Sequence, residues 1–325
     1  MQENLPAFFY FNKVILLDDD RDFLDTTIEY LKNINKNMKI EGYLNPDDVV
    51  IKDNYRVKNY IQARIRDDVD KNTLSYDVKQ SSKNAFNSSK DEVSVLVVDY
   101  DMPSIDGLSF IKKLGNSNIY IILLTGTADE DIAVKAFNNG LIHAYIKKQE
   151  PDALKKLYNK VIDFQLNFFQ KETSEIIKAI SKIEENSLLG STKYKDILYK
   201  AIKENNIYQC YLIDEIGSYY MLSDTEDYIM YITEGSKNLS LIEYLEEKNI
   251  NNQSKEFCDF ISNLKNTNYL LYDQLVYNDL INECNFKNYK KQGDELVVNN
   301  KKYLYYFSEN KTNDKKNKIF NNFTY

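Results

Sequence analysis

Histidine is almost missing from this 325-residue chain: His143 is the only one. That excludes multi-histidine metal centres and most histidine-dependent catalysis. It also excludes an internal phosphohistidine relay. Arginine is nearly as scarce: Arg21, Arg56, Arg64 and Arg66 are all there are. The C-terminal half therefore lacks the usual bidentate reader of guanine and phosphate. A net charge of −8 points the same way, against nonspecific nucleic-acid binding. Cys210, Cys258 and Cys284 are widely spaced and form no C-x-x-C pair, as expected of free thiols in a reducing cytoplasm. No run approaches the roughly 20 apolar residues of a membrane span. Met1–Phe11 has no basic flank and does not read as a signal peptide. The expected location is cytoplasmic.

The hydrophobic content is 43%, and the length allows two domains, each with its own core. Residues 13–150 alternate in type. Val14–Leu17, Met38–Leu44, Val93–Val98, Ile119–Leu124 and Leu141–Ile146 read as strands. Asp22–Asn33, Leu108–Leu114 and Asp129–Asn138 carry apolar residues at helical spacing. Asn45-Pro46-Asp47-Asp48 has the form of a cap opening another helix. Such alternation predicts an α/β fold with a doubly wound parallel sheet. Residues 52–91 interrupt it as a polar insertion. Within it, Tyr55–Ile65 is expected to be helical and Ser81–Lys90 a flexible loop. Pro151–Glu185 reads as one long helix, since Pro suits a first helical turn. The first part of its apolar stripe (Leu154, Leu157, Val161, Phe164, Phe168) is expected to pack back on the sheet, and the second (Ile176, Ile177, Ile180, Ile183) to contribute to a homodimer, with packing within one chain as the alternative.

From about Leu188 the character becomes α+β. Tyr194–Glu204, Leu239–Lys248 and Lys255–Leu264 are expected helices. Tyr208–Ile213, Ser218–Leu222 and Tyr228–Thr233 form an expected meander. Tyr269–Leu271 is a further strand. Leu296–Val298 and Tyr303–Phe307 flank Asn299–Lys302 like a hairpin, and Asn310–Lys318 is a polar tail. The expected domains are 11–150 with its insertion 52–91, a connector at 151–187, and an output domain at 188–325.

In parallel α/β sheets, ligands bind beyond the carboxyl ends of the strands. Asp18 and Asp19, Asp99, Thr125 and Lys148 all sit at such ends. Strands that end in acids can converge on one hard divalent cation such as Mg²⁺. Asp19 suits a direct ligand, Asp18 a ligand through water, and Asp99 both ligand and nucleophile. The backbone carbonyl of Asp101 supplies a further oxygen. Lys148 suits the remaining phosphoryl oxygens as a point charge, and the Thr125 hydroxyl is placed to bond them. Each feature alone has a bland explanation: acids cap helices, and a Lys-Lys pair is usually solvated. Asp-x-x-Met-Pro-x-x-Asp-Gly after an apolar strand is stronger, and all four in order are not explained by composition.

These residues resemble the receiver domain of two-component response regulators, over roughly residues 11–150. The resemblance implies that Asp18 and Asp19 are the acidic pair and Asp99 the phosphoacceptor. It implies that Thr125 and Tyr145 are the switch pair and Lys148 the conserved-type lysine. It implies Mg²⁺, a sensor histidine kinase or phosphotransfer protein as donor, and no enzymatic activity beyond self-phosphorylation and dephosphorylation. Two departures stand out: Gln149 occupies a position the family usually gives to proline, and the 52–91 insertion is long.

The C-terminal half, through the strand-turn-strand Tyr211–Leu222, resembles output domains of quorum-sensing-type response regulators that lack a DNA-binding fold. It has no Gly-rich phosphate loop and no basic recognition helix. It also has no Gly-Gly-acid-acid-Phe or Glu-x-Leu type motif. Residues 190–325 hold 17 lysines, no arginine and 20 acids, a balance suited to a protein or small-ligand partner. The expected output is therefore protein–protein contact or dimerisation. The alternatives are DNA binding or a nucleotidyl-transfer-like activity at Asp214, Glu215, Asp224, Glu226 and Asp227, acids that equally suit turns.

Overall fold

The structure is a computed structural model. It describes residues 5–51, 63–68, 71–87, 91–115, 118–126, 130–183, 188–248, 255–266, 269–271 and 290–309. The chain forms two compact units: Phe9–Tyr60 with Asn87–Ser174, and Met1–Phe8 with Ile61–Phe86 and Glu175–Tyr325. This grouping differs from the sequence boundaries, because most of the 52–91 segment joins the C-terminal residues.

The first unit is a parallel sheet covered by helices, as the alternation predicts. Its elements are β1 (Lys13–Leu17), α1 (Arg21–Ile34), β2 (Lys39–Tyr43), β3 (Val93–Asp99), α2 (Gly107–Leu114), β4 (Tyr120–Thr125), α3 (Glu130–Asn138), β5 (Ala144–Lys147) and α4 (Ala153–Ile183). The strand order is β2-β1-β3-β4-β5. Every residue of β3 is buried, and its alternation splits the core. Val95 and Val97 pack with Leu24 and Leu31 of α1 and Leu157 and Val161 of α4. Leu96 and Val98 pack with Phe110 and Ile111 of α2 and Ala133 and Ala136 of α3. A strand buried on both faces needs apolar side chains at every position, hence the continuous run.

Register fixes the functional edge. Leu17 pairs with Val98, Asp99 with Leu124, and Thr125 with Lys147. The Lys148 N–H donates to the Thr125 carbonyl at 3.0 Å. Asp18, Asp99, Thr125 and Lys148 therefore leave the sheet at the same edge.

Several local expectations change. Ser81–Asn87, the larger part of the expected loop Ser81–Lys90, whose residues 88–90 lie outside the described residues, belongs to the helix Val78–Asn87. Asp77 Oδ1 accepts from the Gln80 N–H at 2.9 Å at its start. Its buried residues, Val78, Ser81, Ser82 and Ala85, are mostly small, so they leave no strong apolar stripe in the sequence. Arg64 and Ile65 lie in a strand, Ala63–Asp68, paired antiparallel with Lys71–Tyr76, and residues 52–62 lie outside the described residues. Asn45 caps a single 3-10 turn, Pro46–Asp48, which ends at an extended Val49. The fifth strand begins at Ala144 instead of Leu141. Just before it, the His143 N–H donates to the Ile121 carbonyl at 2.8 Å, and its ring Nδ1 accepts from the Ile121 N–H at 3.1 Å.

The second unit carries a six-stranded sheet. Its order is the strand Phe8–Tyr10, of which Phe8 belongs to this unit, then Gln209–Leu212, Tyr219–Leu222, Asp227–Glu234, Lys301–Glu309 and Asp294–Val298. The meander from Gln209 to Glu234 is antiparallel, as expected. The C-terminal hairpin turns at Asn299-Asn300, both at positive φ (49° and 62°), a conformation that asparagine tolerates. Tyr211, Tyr219 and Tyr303 are fully buried, and the Tyr219 hydroxyl donates to the Pro6 carbonyl at 3.0 Å. The Phe86 ring meets Tyr211 and Tyr220 edge-on, at 5.4 and 6.0 Å between centroids. That aromatic packing explains why Ile61–Phe86 groups with the C-terminal residues. The helices Thr192–Glu204, Gly235–Lys248 and Lys255–Asn266 and the strand Tyr269–Leu271 also form. Residues 310–318 and the end of the connector, 184–187, lie outside the described residues. No helix among the described residues is long and apolar enough to cross a membrane.

Gly107 shows how tightly the loop after β3 is closed. Its N–H donates to the Tyr100 carbonyl at 2.8 Å, and a Cβ there would lie 2.3 Å from the Asp99 carbonyl oxygen. The obstacle is backbone, so it cannot swing aside. Gly107→Ala is expected to lower unfolding stability by about 1–3 kcal/mol, the usual cost of overpacking. Denaturant titration of wild type and variant checks this.

Candidate functional site

The site begins where β1 ends. Asp18 is 2% exposed, and its Oδ1 accepts from the Asp20 N–H at 3.1 Å. Asp20 then caps α1, accepting from the N–H groups of Asp22 and Phe23 at 3.0 and 3.1 Å. An apolar strand running directly into a capped helix leaves the acids no room to move away from the sheet edge. Asp99, 4% exposed, ends β3 beside them. Oxygens of Asp18, Asp19 and the Asp99 side chain lie within 4.8 Å of one another, with Asp19 exposed and the other two buried. Asp101 is exposed two residues past Asp99 and is not among the clustered carboxylates.

Lys148 bridges the buried acids. Its Nζ lies 2.8 Å from Asp18 Oδ2 and 2.9 Å from Asp99 Oδ1. Burial pushes both carboxyl pKa values above the ordinary range, against the opposing pull of the Lys148 hydrogen bond and charge. Burial also works against the Lys148 ammonium, but hydrogen bonds and attraction from Asp18 and Asp99 outweigh it and raise its pKa. The lysine is therefore fully charged at neutral pH.

Thr125 is completely buried at the end of β4, and its hydroxyl has no hydrogen-bond partner. A buried, unpartnered hydroxyl is uncommon in a folded protein. It suits an oxygen-rich group arriving beside Asp99. Tyr145 is half-buried in β5, paired with Leu123, and packs against the core face that holds α2 and α3. After Lys148 the chain turns through an exposed Gln149, closed by the Glu150 N–H on the Lys147 carbonyl at 3.2 Å. His143 stands at the opposite end of β5. Burial, then Lys171, holds its pKa below the ordinary value, so it remains a neutral acceptor within the sheet.

The acids of the C-terminal half are used differently. Asp214 Oδ1 accepts from the N–H groups of Ile216, Gly217 and Ser218 at 2.9–3.0 Å. Asp227 accepts from the Tyr220 hydroxyl at 2.6 Å. Among the described residues, Asp18, Asp19 and Asp99 are the acids gathered closely enough to share a cation. A metal-dependent cluster at Asp214, Glu215, Asp224, Glu226 and Asp227 is not assembled there. Sequence reasoning missed Phe23 as a neighbour of Lys148, because its helical spacing marks it only as core.

Residues 49–159 match the family model described as the response regulator receiver domain. Asp18 and Asp19 precede the matched stretch. The solved structure of the Legionella pneumophila response regulator LqsR is similar, with a TM-score of 0.65 and 27% identity. That match covers 94% of this chain and 89% of LqsR. The cyclic di-GMP phosphodiesterase response regulator RpfG of Xanthomonas campestris pv. campestris is 31% identical over 103 residues. That is 30% of this chain and 26% of RpfG, so the match spans about a quarter of that relative's length.

The raised carboxyl pKa values carry a stability consequence. A group whose pKa is higher folded than unfolded contributes stability at low pH and loses it as pH rises through the folded value. Ionised Asp18 is thus a net cost at pH 7 without metal. Asp18→Asn, which leaves Lys148 its Asp99 partner, is expected to raise the melting temperature by about 2–4 °C, the shift that ~1 kcal/mol gives. The difference should vanish at acidic pH, where wild-type Asp18 is protonated. Thermal melts across pH in chelator-treated buffer check both parts.

Proposed function

The chain carries a response regulator receiver domain, and on that basis we propose that Asp99 accepts a phosphoryl group from a partner's phosphohistidine in two-component signalling. The observation that carries this reading is the single ammonium within 2.9 Å of Asp99 and 2.8 Å of Asp18, beside the unpartnered Thr125 hydroxyl. An Asp99 side-chain oxygen attacks phosphorus. The P–O bond forms as the P–N bond breaks, and the imidazole nitrogen keeps the electron pair. Lys148 meets the incoming phosphoryl oxygens, and Thr125 donates its O–H to one of them. Such transfer is accelerated mainly by positioning and electrostatics.

The oxygen-only donor set of Asp18, Asp19 and Asp99 fits a hard cation. With the Asp101 backbone carbonyl, these residues would hold Mg²⁺. The bound cation would offset phosphoryl charge. His143 is committed to the sheet, so the donor is another molecule: a sensor histidine kinase or a phosphotransfer protein.

Phosphorylation adds about −1.5 to −2 charge and new acceptor oxygens. Thr125 moves toward them, which frees space for Tyr145 to turn inward. This shifts a population between two packings of the β4–β5 side of the sheet, from which the chain runs directly into α4. We assign reception to Phe9–Tyr60 with Asn87–Ser174, and output to the other unit. The output acts through protein contact; the apolar stripe of α4 is buried within the chain at Leu157, Val161, Phe164, Phe168, Ile176 and Ile180, which makes the expected homodimer through residues 151–187 the weaker form of it. DNA binding and nucleotidyl transfer are the weaker readings, given the net charge of −8 and the local hydrogen bonds that occupy Asp214 and Asp227. The activity in RpfG's name is not carried over, because the match spans 30% of this chain.

Asp99→Asn is expected to abolish labelling by a phosphohistidine donor or by acetyl phosphate with Mg²⁺, read by intact-protein mass. Undiminished labelling would overturn the assignment. For the output, no DNA gel shift is expected at low salt. A shift whose affinity falls steeply with salt would favour DNA binding instead.

A further inference from the structure

We infer that Phe23 is a positioning residue for Lys148, holding its ammonium in place through phosphoryl transfer. The inference rests on the reading of Asp99 as the acceptor. Lys148 Nζ has three close neighbours: Asp18, Asp99 and the Phe23 ring, whose centroid lies 4.6 Å away. Lysine is a compact, strongly hydrated point charge on a flexible four-carbon stem, so it stays put only where its surroundings confine it. The two carboxylates do so before transfer. Once a phosphoryl group forms on Asp99, that carboxylate becomes an acyl phosphate, and the ion pair between Lys148 and Asp99 is exchanged for phosphoryl oxygens. The attraction of the ring face for the ammonium does not depend on the state of Asp99. It is the contact that persists across the step.

Phe23 is itself held by the site. Asp20 accepts from the Phe23 N–H at the start of α1, and the Asp20 N–H is bound by Asp18 Oδ1. The ring also packs against the core cluster that contains Leu24 and Val97. Asp18 thus fixes the cap, the cap fixes the first turn of α1, and that turn presents the ring to Lys148.

The test compares full-length Phe23→Leu, Phe23→Tyr and Phe23→Trp with wild type. The readouts are the rate of labelling by acetyl phosphate at saturating Mg²⁺ and the melting temperature. A partly desolvated cation–π contact is worth roughly 1–2 kcal/mol. Without the ring, the ammonium is least confined where Asp99 loses its charge during transfer, so the loss falls mainly on the transition state, and Phe23→Leu is expected to slow labelling about five- to thirtyfold. The Tyr and Trp variants should stay within about twofold of wild type. The chain has no tryptophan, so Phe23→Trp also adds a lone reporter, whose emission should change when Lys148→Ala is introduced. Three results would overturn the inference: Phe23→Leu labelling at the wild-type rate, all three variants slowing equally (a packing effect), or indole emission indifferent to Lys148→Ala. A wild-type chain that takes no label would instead remove the acceptor reading. The emission comparison would still test the contact in that case.

Discussion

One ammonium bridging two buried carboxylates is the interaction on which the site depends. Asp18 and Asp99 are each almost fully buried, and ionised carboxylates in such a place are costly unless paired. Lys148 provides that pairing from a third strand. The sheet must bring β1, β3 and β5 to one edge in register, or the acids would be left buried without a counter-charge. Function and fold therefore constrain the same residues. A site built this way keeps an excess of negative charge, as the raised carboxyl pKa values of Asp18 and Asp99 reflect together with their burial.

The chain's path gives that site a route outward. It passes between the two compact units at Phe8/Phe9, Tyr60/Ile61, Phe86/Asn87 and Ser174/Glu175. The strand Phe8–Tyr10, the helix Val78–Asn87 and α4 each contribute residues to both. The strand Ala63–Asp68, its partner Lys71–Tyr76 and the helix Val78–Asn87 up to Phe86 belong to the same unit as the C-terminal residues. The chain therefore enters the first unit from the second just before β3 and leaves it along α4.

Much of the first unit was legible because its signals are local. A strand buried on both faces must be apolar throughout, so Val93–Val98 announced itself. Gly115 and Gly140 sit at positive φ after their helices, where glycine is the residue that adopts this backbone without strain. The acids, Thr125 and Lys148 were found because each directly follows an apolar run. Val78–Asn87 was missed because its buried face is built from Ser81, Ser82 and Ala85, which carry little hydrophobic contrast. The start of β5 was placed too early because Leu141 and Ile142 are apolar for packing, while the ladder takes up His143 by its own hydrogen bonds. Phe23 was read as core, since helical spacing says which face a ring occupies and nothing about a lysine arriving from a strand far along the chain.

By itself, the sequence determined the strand-helix alternation, the residues at the strand ends and the chemistry those residues allow. These depend on patterns within a few residues, where backbone preference and burial act directly. Tertiary structure alone decided that Lys148 spans Asp18 and Asp99, that Phe23 lies over Lys148, and that Ile61–Phe86 belongs with the C-terminal residues. Each of those rests on contacts between positions far apart in the chain. Their energies come from shared desolvation and packing, which no local pattern records.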